Sequence, residues 1–546
     1  MTNERLMKKG TVFLVGALLA IMLPGTLCAK SAKFKGKATH LYKDVFDQNV
    51  YYEGVNQLDF GRWGRKLFDR EIPAANINIF DEVPDSAFFT NRHARKRLSA
   101  EELEKGYSET EGPDLSAPMT VTKGKQEGLH PGFFIRDARG DAYCLKFDAE
   151  GYLELATAAE VIASRFYYAI GYNVPQYTMF RFRPEDIVAG ENAYTYDDTG
   201  FRKKMTPDLL DQYLSFLPIT EEGEYLASAS KIVPGRNAGY FSFYSRRKDD
   251  PEDTINHRDR REIRAISVFS MWLNNYDVRE DNTLDMEVVE NGRPVIKHYL
   301  IDFNSALGAA HGGPKPPMFG HEYMIDYGET AKAFLSLGLW EKPWQKKWRV
   351  VDERPYESPA VGYFSNEGFD PESHKVQLPY ETFRVLTKAD GFWAAKIMKS
   401  FTDEDVRAMV KAGRYSNAED EDYIAKTLIE RRDMIARYWF SQTTPLDQFE
   451  LSGNVLRFRD LALHYGWGDP DAIDYTAEVF AGSKRRKPDE ILTSQEPVFS
   501  LNPRYISPNR TVELRIRVSR RGDEDPSPYI KIILDEGGVR QIRHED

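Results

Sequence analysis

The chain has 546 residues, of which 41% are hydrophobic and 29% charged, so it can bury a substantial core and is not disordered as a whole. Its 74 Lys and Arg residues are outnumbered by 85 Asp and Glu residues, and the net charge of −11 argues against a protein that binds nucleic acid by neutralising phosphates. Two cysteines exclude a disulfide scaffold and a cysteine-based zinc or iron–sulfur site.

Residues 1–29 predict a secretory signal peptide. Basic residues precede an apolar run at 11–23 that is too short to span a bilayer comfortably. The basic residues are Arg5, Lys8 and Lys9. We therefore expect export to the periplasm, the cell envelope or the exterior. An uncleaved N-terminal anchor stays open as the alternative, and it is the one membrane contact that the sequence suggests.

The next segment, 30–115, is polar and rich in aromatic residues, and we interpret it as an N-terminal extension. Within it, 81–92 reads as an irregular arm packed on another part of the protein. Regular patterns begin after 115. The residues 132–147 predict two strands joined by a tight turn, and 153–171 have apolar residues at helical spacing up to a terminal glycine.

The pattern continues with a short strand at 177–183 and a polar insertion at 184–224 that contains one helix. A strand at 226–235 closes on Pro-Gly, and a helix follows at 261–273. Residues 274–308 predict a loop, a strand, an Asn-Gly turn, a second strand and a loop.

Two helices with N-terminal capping signals come next, one opened by Thr402 and one by Ser416, the latter reaching Trp439. Beyond Pro445 the composition changes, and strands at 512–518 and 529–535 predict a small β domain. The predicted division is a signal peptide, an extension, an N-terminal lobe, a helical C-terminal lobe and a β domain, at 1–29, 30–115, 116–235, 236–444 and 445–546.

Three residues in the predicted loop and hairpin at 274–308 suggest metal-assisted chemistry. Asp277 follows a helix, Asn282 comes five positions later, and the hairpin returns the chain to Asp302 at the end of an apolar strand. Carboxylate and amide oxygens are the ligands that Mg²⁺ prefers. Phosphoryl transfer needs such ligands and also a carboxylate that receives the acceptor's proton. Phosphate-loop, zinc-protease and nucleophile-elbow motifs are absent from the sequence.

The upstream half supplies residues suited to nucleotide phosphates. Lys146 lies on a predicted strand, with the small residues Ala142 and Cys144 on the same face leaving room for a flat ligand. Glu160 lies in the next helix and could pair with Lys146, although Glu154 is a rival for that role. Such a pair fixes a lysine ammonium on nucleotide phosphates.

Two further groups complete the candidate nucleotide site. Gly128 and Gly132 could bend a loop over the phosphates. The span 231–234 would connect the two lobes, which makes Lys231 and Val233 candidate cofactor-binding residues.

With these elements in order, the chain resembles the protein-kinase-like superfamily. The motifs are YCLK at 143–146, YDVREDN at 276–282 and IDFNSALG at 301–308. The similarity is greatest to atypical members, namely HipA-like kinases, type II phosphatidylinositol 4-kinases, CotH-like kinases and secretory-pathway kinases. It covers roughly 120–440 and implies a two-lobed α+β kinase-like fold that binds ATP or another nucleotide with Mg²⁺ or Mn²⁺.

The resemblance also implies a role for each motif residue. Lys146 would contact the phosphates, Glu160 would orient it, Asp277 would be the catalytic base, and Asn282 with Asp302 would hold the metal. Asn304 stands where kinases have the glycine of D-F-G, Asn275 and Tyr276 replace His-Arg, and no A-P-E segment is evident. These departures argue against a protein substrate more than against the fold.

Three functions follow from these patterns. The leading hypothesis is an exported atypical phosphotransferase that moves a nucleotide γ-phosphoryl group to a hydroxyl of an unknown protein, lipid or glycan. The alternative is a non-catalytic envelope protein for binding or structure on the same scaffold, because ATP is scarce outside the cytoplasm. A carbohydrate-binding surface protein is a third, weaker interpretation that rests on the aromatic content of 13%.

Overall fold

The computed structural model describes most of the chain beyond the predicted signal peptide. The described residues are 34–37, 41–58, 64, 71–125, 130–197, 199–315, 318–342, 344–345, 355–481, 487–508, 510–521 and 526–544. Backbone contacts divide the chain into Met1–Lys35 and Gly36–Asp546. Only two residues of the first unit are described, so the account below concerns the second. The predicted signal peptide and Gly128 lie outside the described residues.

A seven-stranded sheet forms the first half of the second unit. Its strands are β1 (Met119–Gly124), β2 (Gly132–Arg136), β3 (Ala142–Phe147), β4 (Tyr177–Phe182), β5 (Ile187–Tyr196), β6 (Arg202–Lys204) and β7 (Tyr225–Lys231). They are ordered β4-β7-β3-β2-β1-β5-β6, and all neighbours are antiparallel except β1 and β5. The predicted hairpin at 132–147 is therefore confirmed as β2 and β3, and the strands predicted near 177 and 226 as β4 and β7.

One helix packs on each face of this sheet. Helix α4 (Ala156–Ile170) is buried along nearly its whole length and ends at Gly171, as predicted. Helix α5 (Pro207–Leu214) covers the other face, where Tyr143, Leu145 and Phe147 of β3 join its core. Because successive strand residues point to opposite faces, the even-numbered residues of β3 face away from α5.

The insertion at 184–224 contains more structure than the sequence predicts. Its helix is present as α5, but two further strands, β5 and β6, extend the main sheet beyond β1. Buried and exposed positions do not alternate cleanly along β5, so the period of two that marks a strand in sequence is weak there.

The helical half follows β7. A short strand β8 (Arg236–Asn237) pairs with the hairpin β9 (Thr283–Glu290) and β10 (Arg293–Leu300), which turns at Asn291 and Gly292 as predicted. The helix predicted at 261–273 is present in two pieces that meet at Ala265. The pieces are α6 (Arg261–Arg264) and α7 (Ile266–Trp272), and a small hairpin, β11 (Ala309–Ala310) with β12 (Gly313–Pro314), comes after β10.

Longer helices complete this half. They are α8 (Tyr327–Leu335), α9 (Glu381–Arg384), α10 (Lys388–Lys399), α11 (Asp403–Lys411) and α12 (Ala418–Ser441). Thr402 caps α11 with Asp405 in the predicted reciprocal arrangement. The predicted cap of α12 is wrong by one residue. The Asn417 side chain accepts a hydrogen bond from the Glu419 amide. The Ser416 hydroxyl instead donates a hydrogen bond to Glu154, which lies between β3 and α4.

The C-terminal segment forms two sheets around one apolar core. The first contains β13 (Leu446–Ser452), β14 (Val455–Asp460) and β17 (Val498–Ser500), with α13 (Leu461–His464) after β14. The second is ordered β16-β15-β18-β19-β20, from β15 (Ile473–Phe480), β16 (Glu490–Ser494), β18 (Val512–Arg520), β19 (Ile530–Asp535) and β20 (Gly538–His544). The strands predicted near 512 and 529 are confirmed.

The N-terminal extension lies against the rest of the protein. It contains α1 (Leu41–Phe46), a π-helical turn, α2 (Tyr52–Gln57) and α3 (Ala100–Lys105). Residues 71–98 are largely irregular, and Val83, Phe88 and Phe89 join the core of the helical half. The predicted packed arm is confirmed. Together these elements make the α+β class predicted from the sequence, while the four domain boundaries remain predictions.

No helix among the described residues has both the length and the hydropathy needed to cross a bilayer.

Candidate active site

The site begins with Lys146 on β3, on the face turned toward α4. Its ammonium donates hydrogen bonds to Glu160 of α4 and to Asp302 after β10, the latter at 2.8 Å. Glu160 is fully buried and accepts a second bond from the Ser228 hydroxyl of β7. The pair that the sequence suggests between Lys146 and Glu160 is therefore present, and Glu154 instead contacts Arg181 and Ser416.

The charges in this cluster depend on one another. Burial alone would lower the pKa of Lys146, but the Asp302 and Glu160 carboxylates raise it well above its usual value. Burial opposes ionisation of Asp302, yet the adjacent ammonium outweighs this effect and lowers the pKa of Asp302 to about 2. Lys146 is thus a fixed cation, held between two carboxylates at the sheet's inner face.

Asp302 adopts a backbone conformation that residues other than glycine rarely adopt. Its φ is 61°, in the left-handed region. Its amide donates to the Tyr177 hydroxyl at 3.1 Å, and its carboxylate meets Lys146. Backbone strain of this kind costs of order 1–3 kcal/mol and is concentrated at functional sites.

The second part of the site is the loop between α7 and β9. The Asn282 amide nitrogen donates to the Asp277 carbonyl oxygen at 2.8 Å and to its carboxylate at 3.2 Å. Arg279 Nε lies 2.9 Å from Asp277 Oδ1 and 3.0 Å from Asp281 Oδ1, at angles too poor for hydrogen bonds. The Asp277 Oδ1 atom is buried and accepts no hydrogen bond from the described residues.

The pKa of Asp277 links the two parts of the site. Burial raises this pKa, Arg279 opposes the rise, and the nearby carboxylates Asp302 and Asp281 add to it. Asp302 therefore lies close enough for its charge to act on Asp277. A carboxylate with a raised pKa is a better proton acceptor than an ordinary aspartate, as a general base requires.

Asn282 and Asp302 carry the kind of oxygen atoms that a magnesium or manganese ion shared with nucleotide phosphates would need. The described residues contain no cluster of three or more metal-binding side chains. Mg²⁺, however, is commonly held by one or two carboxylates together with substrate phosphates. Asn282 uses its amide nitrogen on Asp277, which leaves its oxygen for a cation, and Asp302 would supply the carboxylate. In that arrangement the metal would neutralise charge on the phosphates.

Two further residues contribute to this site although the sequence analysis did not select them. Lys125 follows β1 and donates to the His130 carbonyl oxygen at 3.2 Å. Burial lowers its pKa, and the proximity of Lys146 lowers it further. Burial likewise lowers the pKa of His130 to about 4, and its Nε2 atom is buried without a partner among the described residues. The Lys-Gly-Lys run at 123–125 is the one signal that could have indicated this second cation.

The remaining candidates lie at different distances from this cluster. Gly132 opens β2 directly opposite Lys146, where a Cβ atom would come within 2.3 Å of the Leu145 carbonyl oxygen. Lys231 ends β7, and its ammonium meets Glu109 at 3.3 Å and Asp141 at 3.1 Å instead of joining Lys146. Its nucleotide contact remains a prediction, as do the roles of Gly132 and of Gly128.

Val233 lies in the link between the main sheet and β8. No described residue bonds to its main-chain N–H or C=O, whereas the amides of Lys231 and Ile232 bond to Gln176 and Ala142. Contact of Val233 with a nucleotide remains a prediction. Cys144, on the same face of β3 as Lys146, is buried, and burial raises the pKa of its thiol to about 11, so it is a small core residue rather than a nucleophile.

The N-terminal extension also reaches this loop. Asp44 of α1 accepts hydrogen bonds from the Glu280 amide, at 3.2 Å, and from the Tyr380 hydroxyl. The extension therefore supports the loop that carries Asp277.

Comparison with known proteins gave matches among solved structures alone. No protein-family model matches the chain, and no curated protein does. The proinflammatory kinase CtkA of Helicobacter pylori is 10% identical with a TM-score of 0.32, covering 61% of this chain and 99% of that one. The Golgi casein kinase is 8% identical with a TM-score of 0.28, covering 76% and 93%. Its structure with Mn/ADP bound is 9% identical with a TM-score of 0.28, covering 74% and 92%.

These solved structures are kinases, and each matches the chain at 10% sequence identity or less and at a TM-score of 0.32 or less. Similarity of this degree does not transfer the role of any residue, so the roles considered below rest on the geometry of Lys146, Asp277 and Asp302.

Proposed function

We propose that the protein is an exported phosphotransferase that moves the γ-phosphoryl group of ATP, or of a related nucleotide, to a hydroxyl group. The observation that carries the proposal is the convergence of Lys146, Glu160 and Asp302 beside the Asp277–Asn282 loop. A fixed cation, metal-binding oxygens and a carboxylate with a raised pKa are the parts that phosphoryl transfer requires.

Each residue has a distinct task in this proposal. Lys146, held by Glu160, binds phosphate oxygens, and Lys125 adds a second positive charge on the same side. Asp302 and Asn282 hold Mg²⁺ or Mn²⁺ against the phosphates. Asp277 accepts the proton of the attacking hydroxyl, and its raised pKa favours that transfer.

The proposed location rests on the sequence of the N-terminus. Its basic residues and short apolar run are typical of a secretory signal. Detection of the protein in the envelope or the medium, in a form that begins near residue 30, would support export, and recovery of the full-length chain from the cytoplasm would contradict it.

Nucleotide binding by the purified protein tests the proposed activity. We expect calorimetry to show ATP binding that requires Mg²⁺ or Mn²⁺ and that Asp302→Ala abolishes. Asp422→Ala, at an exposed pair with Arg407, is the matched control and should bind as the wild type does. No binding by the wild type, or unchanged binding by Asp302→Ala, contradicts the proposal.

A second variant separates binding from catalysis. Asp277→Asn keeps the side-chain shape and the contact with Asn282 but removes the proton acceptor. It should bind ATP within about threefold of wild type and lose transfer by roughly 10²–10⁴-fold, the usual contribution of a general base. Transfer at the wild-type rate would exclude Asp277 as the base.

A further inference from the structure

A cavity lies in the helical half, beside the loop that carries Asp277. Its volume is about 50 Å³, measured as the space open to the centre of a water-sized sphere. A single water needs ~10–15 Å³ by this measure, so the cavity has room for a few waters or one compact anion. Asn274, Lys315, His374 and Arg431 contribute to its wall, whereas Lys146 and Asp302 do not.

Arg431 of α12 brings a buried positive charge to this cavity. It is 3% exposed, and its guanidinium lies over the rings of Phe364 and Phe369 at 4.6 and 4.3 Å. It donates to the Asn366 side-chain oxygen at 2.9 Å and to the Ser365 carbonyl oxygen. Within the described part of the chain, no carboxylate comes within ion-pair distance of it.

The neighbouring residue in α12 shows what a paired arginine looks like. Arg432 meets Asp403 and Asp433, each at 2.8 Å. Buried charges in proteins are normally paired in this way, because an unpaired ion loses its hydration without compensation. Arg431 therefore lacks the counterion that burial of its charge calls for.

Lys315 adds a second cation to the same wall. It is buried and donates to the carbonyl oxygens of Asn274, at 2.8 Å, and of Ser305. Burial lowers its pKa to about 7, while Asp277 favours and Arg431 opposes its charge. Its partners are neutral carbonyl groups, so it too has no ion pair with a described residue.

A third group also faces the cavity without a partner. The Nε2 atom of His374 is buried and makes no hydrogen bond to any described residue. Glu367 and Asp370 are exposed at the rim, where their carboxylates can accept hydrogen bonds from hydroxyl groups. The interior of the cavity therefore favours a compact anionic group. The rim favours the hydroxyl-bearing remainder of the molecule that carries this group.

The cavity is also next to the proposed catalytic base. Asn274 lines it, holds Lys315 through its carbonyl oxygen and precedes Asp277 by three residues. We propose that this cavity binds a compact oxyanion, a phosphate or carboxylate group, that the hydroxyl acceptor carries. The proposal rests on the phosphotransferase function proposed above and adds the chemical class of its acceptor.

Binding of inorganic phosphate tests the anion site without nucleotide. Calorimetry at fixed ionic strength would compare the wild type with Arg431→Met and with Arg432→Met, the matched control on the same helix. A hydrogen bond to a charged group corresponds to about 10-fold or more in affinity. We expect that loss in Arg431→Met and less than about twofold change in Arg432→Met. A wild type that does not bind phosphate, or an unchanged Arg431→Met, overturns the proposal.

A milder substitution covers the case in which Arg431→Met does not fold. His374→Leu removes Nε2, a ring nitrogen that donates a hydrogen bond in one of the two neutral tautomers and has no partner among the described residues, so the core should tolerate the substitution. Phosphate affinity should fall by about fivefold, the worth of one neutral hydrogen bond. Unchanged affinity in a folded His374→Leu protein contradicts the proposal.

A second set of titrations distinguishes an anionic group that is part of the acceptor from a free anion. Glycerol 3-phosphate, glucose 6-phosphate and phosphoserine would be titrated beside inorganic phosphate. At least one should bind more tightly than phosphate, and Asp277→Asn should remove that gain, because the acceptor hydroxyl would reach the base. If none does, the cavity serves a free anion and the acceptor assignment is wrong.

The test of the anion site can be separated from the test of the proposed phosphotransferase function. ATP binding would be measured on the same samples, and Arg431→Met should bind ATP as the wild type does. Failure of the wild type to bind ATP refutes the phosphotransferase function, whereas loss or retention of phosphate binding in Arg431→Met decides the anion site by itself.

Discussion

At the scale of single residues, the chain contains two kinds of buried cation. Lys146 lies between the carboxylates of Glu160 and Asp302, which keep it charged. Lys315 and Arg431 instead contact carbonyl oxygens and aromatic rings. The first arrangement stabilises a permanent charge, and the second leaves charge that a ligand can neutralise.

Removal of Lys146 should destabilise the fold as well as the site. Lys146→Met leaves Glu160 buried without a counterion, and breaking a buried ion pair costs about 3–5 kcal/mol. Lys297→Met is the control, because Lys297 pairs with Glu290 on an exposed hairpin and such pairs contribute about 0–1 kcal/mol. Urea unfolding measures the free energy of unfolding of both variants. Equal losses would contradict the expectation that the buried pair contributes more to stability than the exposed pair.

Lys315 should make stability depend on pH. Its pKa is about 7 in the folded protein and near its usual 10.5 when unfolded, so between these values the unfolded chain binds more protons. Stability therefore rises with pH across this window, by at most ~1.4 kcal/mol per pH unit. Below pH 7 the penalty is complete and constant.

The comparison of wild type with Lys315→Met isolates this contribution. The charged groups that act on Lys315 are Asp277 and Arg431, and both remain in the variant. Urea unfolding at pH 7 and pH 9.5 should show a wild-type gain that the variant lacks. Parallel changes in the two proteins would show that Lys315 does not titrate in this range.

At the scale of elements, helix starts show how local and distant contacts compete. Thr402 begins α11 with the reciprocal bonds to Asp405 that its sequence indicates. Ser416 carries a similar signal three residues before Glu419, but Glu154 takes its amide and hydroxyl, and Asn417 caps α12 instead. A side chain can cap a helix when it makes no competing hydrogen bond with a residue from another part of the fold.

The Thr402 cap should have a measurable worth. Thr402→Ala removes the acceptor of the Asp405 amide, and loss of an N-cap costs about 1 kcal/mol. Thr402→Ser keeps that oxygen and should stay within about 0.3 kcal/mol of wild type. Urea unfolding of the three proteins measures the difference, and an equal loss in both variants would assign the effect to the threonine methyl group.

At the scale of the whole molecule, one ionic network ties distant parts of the chain together. Asp390 of α10 accepts from Arg261 at 2.8 Å and from Arg264 at 3.0 Å, both on α6. Arg261 also meets Asp81 of the N-terminal arm, and Asp81 meets His544 at the end of β20. The arm, the helical half and the C-terminal sheet thus share one buried network of carboxylates, guanidinium groups and a histidine.

Loss of the central carboxylate should weaken the whole molecule. Asp390→Ala leaves two buried guanidinium groups without their shared partner, at a cost of about 3–5 kcal/mol. The exposed pair of Asp422 with Arg407 offers the control, and Asp422→Ala should cost no more than about 1 kcal/mol. Thermal and urea unfolding measure both variants. A loss of under 1 kcal/mol in Asp390→Ala would show that the network contributes little.

The amino-acid sequence by itself determined the elements that have strong local patterns. Alternation and turn residues indicated the hairpin that carries Lys146, helical spacing and Gly171 indicated α4, and the Asn-Gly turn indicated the hairpin that leads to Asp302. Their order along the chain also suggested that Lys146 could pair with Glu160, with Glu154 as the rival, and the structure shows the pair with Glu160. Short-range periodicity and turn chemistry govern these features, and both can be read from neighbouring residues.

Only the tertiary structure decided which distant residues meet. The support of the Asp277 loop by Asp44 and the shared cavity of Lys315 and Arg431 have no signature in the residues around them. Such contacts arise when separate elements pack on one core, and the charge that each leaves unpaired depends on what the packing brings near it. The sequence thus suggested the phosphoryl transfer that we propose, and the packing brought together the residues on which that function and the proposed anion site rest.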